Sequence, residues 1–343
     1  MMKNLLVFLF VLSFSSAQAQ HRFRMMEYNV ENLFDTIHAP LHADIEFTPQ
    51  GEKRWTERRY WSKLGKLARV IAAVGETSPV DLVALIEVEN DSVIHHLIHR
   101  TKLWRLGYEA LITHSEDIRG INVALLYQPH RFRLISHDTL RIYPQNPKQR
   151  LSRDILHVAG ELTTRDTLDL FVVHLPSRRG GKAAERYRTQ HTVALRWVTD
   201  SLMCLRKNPH IVITGDFNAW YPEKCLSQGL GAFLPDSTVA AKPHELYLLS
   251  YNLRAHDDIR GTYKFQGQWN QLDQFIVSGT LLQQPTRRKQ LHIRMGDCRI
   301  VDFSWLLRTD KSGYGVHPHR SYLGPYYSGG YSDHLPLLLD LWY

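Results

Sequence analysis

The 343-residue sequence predicts a layered α/β sandwich built on mixed β-sheets. Short apolar, β-branched runs recur along the chain, as strands buried on both faces require. Some of these runs are separated by amphipathic helical stretches and others only by turns rich in Pro, Asn and Gln, so both parallel and antiparallel neighbours are expected. No internal repeat, low-complexity tract or linker-like break in composition interrupts residues 20–343, which are therefore expected to form one domain.

The first residues stand apart. Met1-Met2-Lys3-Asn4, an apolar stretch from Leu5 to Phe14 and Ala17-Gln18-Ala19 ahead of Gln20 follow the plan of a secretory signal peptide. Residues 1–19 are expected to be cleaved, leaving a secreted or periplasmic protein. That apolar stretch is too short to span a bilayer, and no later one approaches about 20 uninterrupted apolar residues, so no stable membrane anchor is expected.

The remaining elements follow in order. Phe23 to Phe34 opens with a strand that stops in a polar Asn-Val-Glu-Asn cluster, and an acidic loop runs from Asp35 to Gly51. Tyr60, Leu64, Leu67, Ala68, Ile71 and Ala72, with Arg and Lys between them, predict a helix from Thr56 to Val74. Pro79 to Glu87 reads as a buried strand ending in an acid. A helix is expected from His95 to Leu106, then strands at Gly120–Tyr127, Phe132–Ile142, Ile155–Leu162 and Asp169–His174. A basic loop, Leu175 to Lys182, leads to a helix from Ala183 to Arg206 and to the strand His210–Asp216. Residues 215–261 read as mostly irregular, Leu272–Val277 as a strand, and residues 281–330 as a polar, Tyr- and Gly-rich excursion before a last strand that follows Ser332-Asp333-His334.

Composition narrows the function. A hydrophobic fraction of 43% supplies a core, and three cysteines (Cys204, Cys225, Cys298) are too few for a disulfide framework, although one bridge remains open. A formal net charge of +8 suits a polyanionic partner such as nucleic acid, or an anionic membrane surface.

The informative pattern lies at the strand ends. Asn29, Glu87, His174, Asp216 with Asn218, Asp273, and Asp333 with His334 all stand at or beside the end of an apolar run. Singly, each has an ordinary explanation: Gly215-Asp216-Phe217-Asn218 as a turn, His174 as a hydrogen-bonded core histidine, Asp333-His334 as a cap. Six strands ending in this way are harder to attribute to turns, and carboxyl ends of strands are where α/β sheets collect their chemistry. The set is rich in hard oxygen donors and poor in Cys, which suits Mg²⁺, Mn²⁺ or Ca²⁺ better than structural zinc.

Six segments also carry a resemblance: Tyr28-Asn29-Val30-Glu31-Asn32-Leu33-Phe34, Ile86-Glu87-Val88-Glu89-Asn90, Val173-His174-Leu175-Pro176-Ser177-Arg178, Gly215-Asp216-Phe217-Asn218, Leu272-Asp273-Gln274 and Ser332-Asp333-His334-Leu335-Pro336. In this order they resemble the endonuclease/exonuclease/phosphatase superfamily, which includes DNase I, abasic-site endonucleases, sphingomyelinases and inositol-polyphosphate phosphatases. Glu46-Phe47-Thr48-Pro49, Arg59-Tyr60 with Lys63, and the stretch from Arg320-Ser321-Tyr322 to His334 are similar to a secreted bacterial branch of it. The resemblance implies a four-layer, DNase I-like α/β sandwich with two mixed sheets face to face and helices outside. It implies hydrolysis of a phosphate ester by a divalent metal, most simply Mg²⁺, and an activated water. Carried over by position, Asn29, Glu87 and Asp333 would hold the metal, Asp216 and Asn218 would place the water or a second metal, and His174 would donate to phosphoryl oxygens. Asp273 would orient His334 as general base or charge stabiliser.

The substrate is less legible. Arg119, Ser177 and Arg178, and Arg320 with its neighbouring tyrosines, suit phosphate neutralisation and base stacking, so a nucleic-acid phosphodiester and a monomeric enzyme are expected. A solvated basic loop is the plainer reading of any one cluster. An inositol-polyphosphate phosphatase would carry a Cys-Asp-Arg run where Asn270-Gln271-Leu272-Asp273 stands, and no membrane-docking hairpin or helix is evident for a sphingomyelinase, yet both remain open. A binding protein with dead chemistry would be expected to lack Glu87, Asp216 or His334.

Overall fold

A computed structural model describes residues 21–147, 149–256, 258–287, 289–310 and 313–343. The expected signal peptide, residues 1–19, lies outside the described residues.

The chain runs β1 (Arg22–Leu33), α1 (Glu57–Gly75), β2 (Leu82–Val88), α2 (Asp91–His99), β3 (Glu109–Ile112), β4 (Asn122–Tyr127), β5 (Phe132–Leu140), β6 (Ile155–Leu162), β7 (Thr167–His174), α3 (Gly181–Leu205) and β8 (His210–Asp216). It continues through β9 (Leu246–Leu248), the hairpin β10 (Tyr263–Phe265) and β11 (Gln268–Asn270), β12 (Asp273–Ser278) and β13 (Cys298–Ile300). Two small hairpins, β14 (Leu307–Thr309) with β15 (Val316–Pro318) and β16 (Tyr322–Leu323) with β17 (Tyr326–Tyr327), precede β18 (Leu337–Trp342).

Two six-stranded sheets result, ordered β13-β18-β1-β2-β4-β3 and β5-β6-β7-β8-β12-β9. Each is mixed: β1 with β2 and β7 with β8 run parallel, and the other pairs antiparallel. Strand alternation divides the apolar residues between layers. Leu170, Val172 and Val212 join Val83, Leu85 and Leu126 of the other sheet in the main core. Phe171, Val173, Ile211 and Ile213 pack outward with Leu195 and Met203 of α3. Leu64, Leu67 and Ile71 bury the apolar stripe of α1 in the main core. The layers are therefore helix, sheet, sheet, helix, as expected.

The boundaries differ where local capping decides them. The helix expected over His95–Leu106 divides: Asn90 caps α2 by accepting from Val93 N at 3.0 Å, and Arg100-Thr101 ends it. There Thr101 Oγ1 donates to Leu97 O (2.6 Å) and accepts from Leu103 N (3.2 Å), starting a separate short turn over Lys102–Leu106. Edge strand β3, β9 and the strands within residues 281–330 span only two to four residues, too short to show periodicity, and tertiary pairing makes them strands.

Candidate active site

Alternation places the chemistry before any contact is considered. His174, Asp216 and Asp273 are successive register partners across β7, β8 and β12, on the face turned toward the other sheet. This needs β7 and β8 to approach closely at Gly215, where φ is +135° and a Cβ would lie 2.0 Å from Val173 O. Only glycine fits there.

The facing sheet reaches the same edge through distortions. Register slips between Asn29 and Leu33 of β1 and between Ile86 and Val88 of β2 re-aim these strand ends. Glu31, Asn32, Glu87 and Asn218 all have positive φ, from +49° to +68°. Non-glycine residues in that region cost about 1–3 kcal/mol each, and four such residues where the two sheets' edges meet mark the place as built for more than folding.

A connected polar network results. Asn29 Nδ2 donates to Asp216 Oδ2 at 3.1 Å, and Asp216 Oδ1 accepts from Asn218 N at 2.8 Å. His174 Nε2 lies 3.7 Å from Asp216 Oδ2 and 3.8 Å from Glu87 Oε1. Glu87 Oε2 accepts from Asn32 N at 2.9 Å. Ser332 Oγ donates to Asn29 O (2.6 Å) and accepts from His334 N (3.1 Å), which fixes the final loop to β1. His334 Nδ1 and Asp273 Oδ2 are 2.6 Å apart, and Thr262 Oγ1 also donates to that Asp273 oxygen.

The electrostatics follow from burial among like charges. Burial and then Asp273 lift the Asp216 carboxyl to about 7, against the lowering influence of His334 and Asn218 N. Burial alone would lower the His334 imidazole, but Asp273, then Asp333 and Asp216, override it and raise it to about 10. Burial also works against a charged Glu87, yet Arg119, Asn32 N and His334 hold that carboxyl below its usual value. His174 is held neutral, well below 6.5, by burial and then by Arg153, Arg119 and His334.

All eight residues expected to act on metal, water or phosphate meet here. Glu87, His174, Asp216, Asn218, Asp333 and His334 line a cleft of about 780 Å³, with Asn29 and Asp273 directly behind. Arg119, Ser177 and Arg178 are on its rim. Arg119 lies 3.6 Å from Glu87 and bonds Asn32 Oδ1; Arg178 is 3.8 Å over the Trp220 ring and pairs with Glu223. Arg320 lies outside this cleft, in an adjoining pocket.

Several residues at the site had no signal in the sequence. Arg153 is buried beneath it, donating to His174 O and Leu175 O at 3.2 and 2.6 Å. Glu27 is fully buried on β1 with its carboxyl against that of Asp273, and burial, followed by Asp273 and Asp216, raises it far above 4.5. Its alternating pattern in an apolar strand was visible; the acids opposite it were not.

The donor set fits a hard divalent cation. Glu87 Oε1 takes no hydrogen bond, and among the described residues neither does the Asp333 carboxylate, although both line the cleft. Asp216, Asp273 and His334 also offer atoms within 4.8 Å of one another, but His334 Nδ1 and one Asp273 oxygen are already committed to each other. Carboxylate oxygens that face a cleft with no hydrogen bond of their own are suited to metal coordination, although Arg119 and His174 stand within 4 Å of the Glu87 oxygen.

Hard oxygen donors and a charged imidazole converging on one cleft suit an anionic phosphorus centre, and fold and site together define a metal-dependent phosphoester hydrolase. A model of the endonuclease/exonuclease/phosphatase family matches residues 24–342, and the chain belongs to that family. The fold is similar to that of D. rerio TDP2 complexed with a single-strand DNA product (14% identity, 93% of this chain and 98% of that one, TM-score 0.54). It is also similar to a mannosyl-6-phosphatase of Bacteroides thetaiotaomicron (14%, 93% and 99%, 0.57) and to an endonuclease/exonuclease/phosphatase family protein of the same organism (15%, 94% and 98%, 0.58). Identities this low establish the common fold and nothing finer. A search of curated protein sequences finds no match.

Proposed function

We propose that this chain is an exported, Mg²⁺-dependent phosphodiesterase that acts on nucleic acid. The observation that carries the reading is the 2.6 Å His334–Asp273 pair, set beside Asp216, Asn218 and Glu87 in a cleft edged by Arg119, Arg178 and Arg179.

Asn29, Glu87 and Asp333 would hold the cation, which when bound supplies positive charge to the phosphoryl oxygens. Asp273 fixes His334 Nδ1–H and leaves Nε2 free to face the phosphate. With the imidazole pushed up to about 10, His334 enters the reaction protonated and stabilises charge on phosphorus rather than removing a proton. Asp216, pushed up to about 7 and held by Asn29 and Asn218, is placed to orient the water and accept its proton. Neutral His174 donates one hydrogen bond to a phosphoryl oxygen. The water oxygen bonds to phosphorus as its proton passes to Asp216, the opposite P–O ester bond breaks, and the departing alkoxide takes a proton from solvent water.

A small phosphoester is the second reading, favoured by the neighbour described as a mannosyl-6-phosphatase. The test is turnover of plasmid DNA, RNA, a bis-aryl phosphodiester, a phosphoinositide, sphingomyelin and a sugar monophosphate with and without Mg²⁺. Metal-dependent cleavage of DNA or RNA is expected; turnover of only the lipids or the sugar phosphate would overturn the nuclease reading.

A further inference from the structure

Beside the catalytic cleft lies a second pocket of about 220 Å³ that shares Asn32, Phe47, Lys53 and Arg179 with it, so the two adjoin. Its far wall is Arg320-Ser321-Tyr322, from the motif that precedes Asp333-His334, and its floor includes buried Trp55.

Three cations line this pocket, and two of them lack a carboxylate partner. The Arg179 side chain makes no hydrogen bond or ion pair among the described residues; only its backbone N–H is engaged, by Ser177 Oγ. Arg320 makes a long contact, 3.5 Å to Lys264 O, and lies against Tyr263, its guanidinium 6.0 Å from the ring and near the hydroxyl, but it meets no carboxylate. Lys53 Nζ is 3.3 Å from Gly324 O and 3.8 Å from Glu46. The pocket's own acid, Glu31, is already neutralised: Ser321 N donates to it at 2.6 Å and Lys63 Nζ is 3.6 Å away.

The wall is held in place. Lys63 is buried and donates to Ser321 Oγ (2.5 Å) and Glu31 O (3.1 Å), while Lys66 and Arg69 of the same helix bond Gly329 O (2.5 Å) and the Tyr331 hydroxyl (3.2 Å). A preformed pocket with uncompensated guanidinium groups is an anion site, since bidentate N–H donors match phosphate oxygens.

We propose that this pocket binds a second phosphoryl group of the substrate, with Arg179 and Arg320 as its ligands and Lys53 beside them. The inference rests on the phosphoesterase reading of the main cleft, which takes the reacting phosphate. It makes the preferred substrate one with two phosphates, either neighbours along a nucleic-acid strand or two groups on one small molecule.

Binding distinguishes these without requiring turnover. Calorimetry in Mg²⁺ would compare thymidine 3′,5′-bisphosphate with thymidine 5′- and 3′-monophosphates, and fructose 1,6-bisphosphate with fructose 1- and 6-phosphates, on the wild type, Arg179→Gln and Arg320→Gln. We expect at least one bisphosphate to bind tenfold or more tightly than both of its monophosphates, and that advantage to fall toward unity in each variant. The pair showing the advantage identifies the source of the second phosphate. Equal affinities in the wild type, an advantage that survives both substitutions, or no bisphosphate binding would overturn the inference. Absence of phosphoester hydrolysis while the advantage persists would instead count against the reading of the main cleft.

Discussion

His334 owes its proton to its neighbours. Its Nδ1 bond to Asp273 and the nearby charges of Asp333 and Asp216 outweigh the cost of burial, and the same crowding keeps Asp216 partly protonated near neutrality. In the proposed mechanism both side chains act at the reacting phosphate. His334→Ala and Asp216→Ala are each expected to lower kcat by about 10²–10⁴-fold while the circular dichroism spectrum is retained. Full activity of His334→Ala would refute its role. At this scale the sequence was most informative, because residue identity at strand ends is written directly in it. Glu27 and Arg153 escaped notice because a lone acid in an apolar run, or a lone Arg in a loop, acquires meaning only from what folds against it.

Elements position these groups through a few contacts that reach far along the chain. Helix α1 carries Lys63, Lys66 and Arg69 on one side, and all three hold the segment that leads into Asp333-His334. Lys63 is buried and donates to Ser321 Oγ and Glu31 O, so Lys63→Met leaves buried acceptors without their donor and is expected to cost about 1–3 kcal/mol, read as a lower urea midpoint with an unchanged slope. Its position among Arg59, Tyr60 and Lys63 was noticed in the sequence, but Ser321, whose hydroxyl it bonds, lies 258 residues away and could not be. On α3, burial pushes the His191 imidazole down to about 4, against the help of the Tyr187 carbonyl. The unfolded chain therefore binds a proton near pH 6.5 that the folded chain refuses until about 4. Stability from this group is complete above 6.5 and is lost as pH falls through that window, at up to about 1.4 kcal/mol per unit. His191→Gln should flatten the fall measured by urea denaturation between pH 7 and 4.5; an unchanged fall would place the acid sensitivity elsewhere.

The whole molecule brings together groups separated by some 300 residues by stacking two mixed sheets so that their polar edges coincide. The main strands were legible because short β-branched runs such as Ile211–Ile213, bounded by Pro209 and Gly215, favour a buried strand over a helix. The bulges at Asn29 and Glu87 were not, since they depend on register with a neighbour. The basic charge of the chain is partly spent on internal ion pairs such as Arg24–Asp340, while Arg179 and Arg320 line the second pocket without a carboxylate partner. Export is a prediction at this scale too: the protein recovered from the expressing cells is expected to begin at Gln20, and mass spectrometry showing an intact residue 1–19 segment would contradict it.

The most direct test of the account is the metal dependence of phosphodiester hydrolysis in the wild type and in Glu87→Gln. Activity on a bis-aryl phosphodiester should vanish in EDTA and return with Mg²⁺, and Glu87→Gln should need about tenfold more Mg²⁺ for half-maximal rate. Hydrolysis that persists undiminished in EDTA, or a Glu87→Gln enzyme with an unaltered Mg²⁺ requirement, would contradict it.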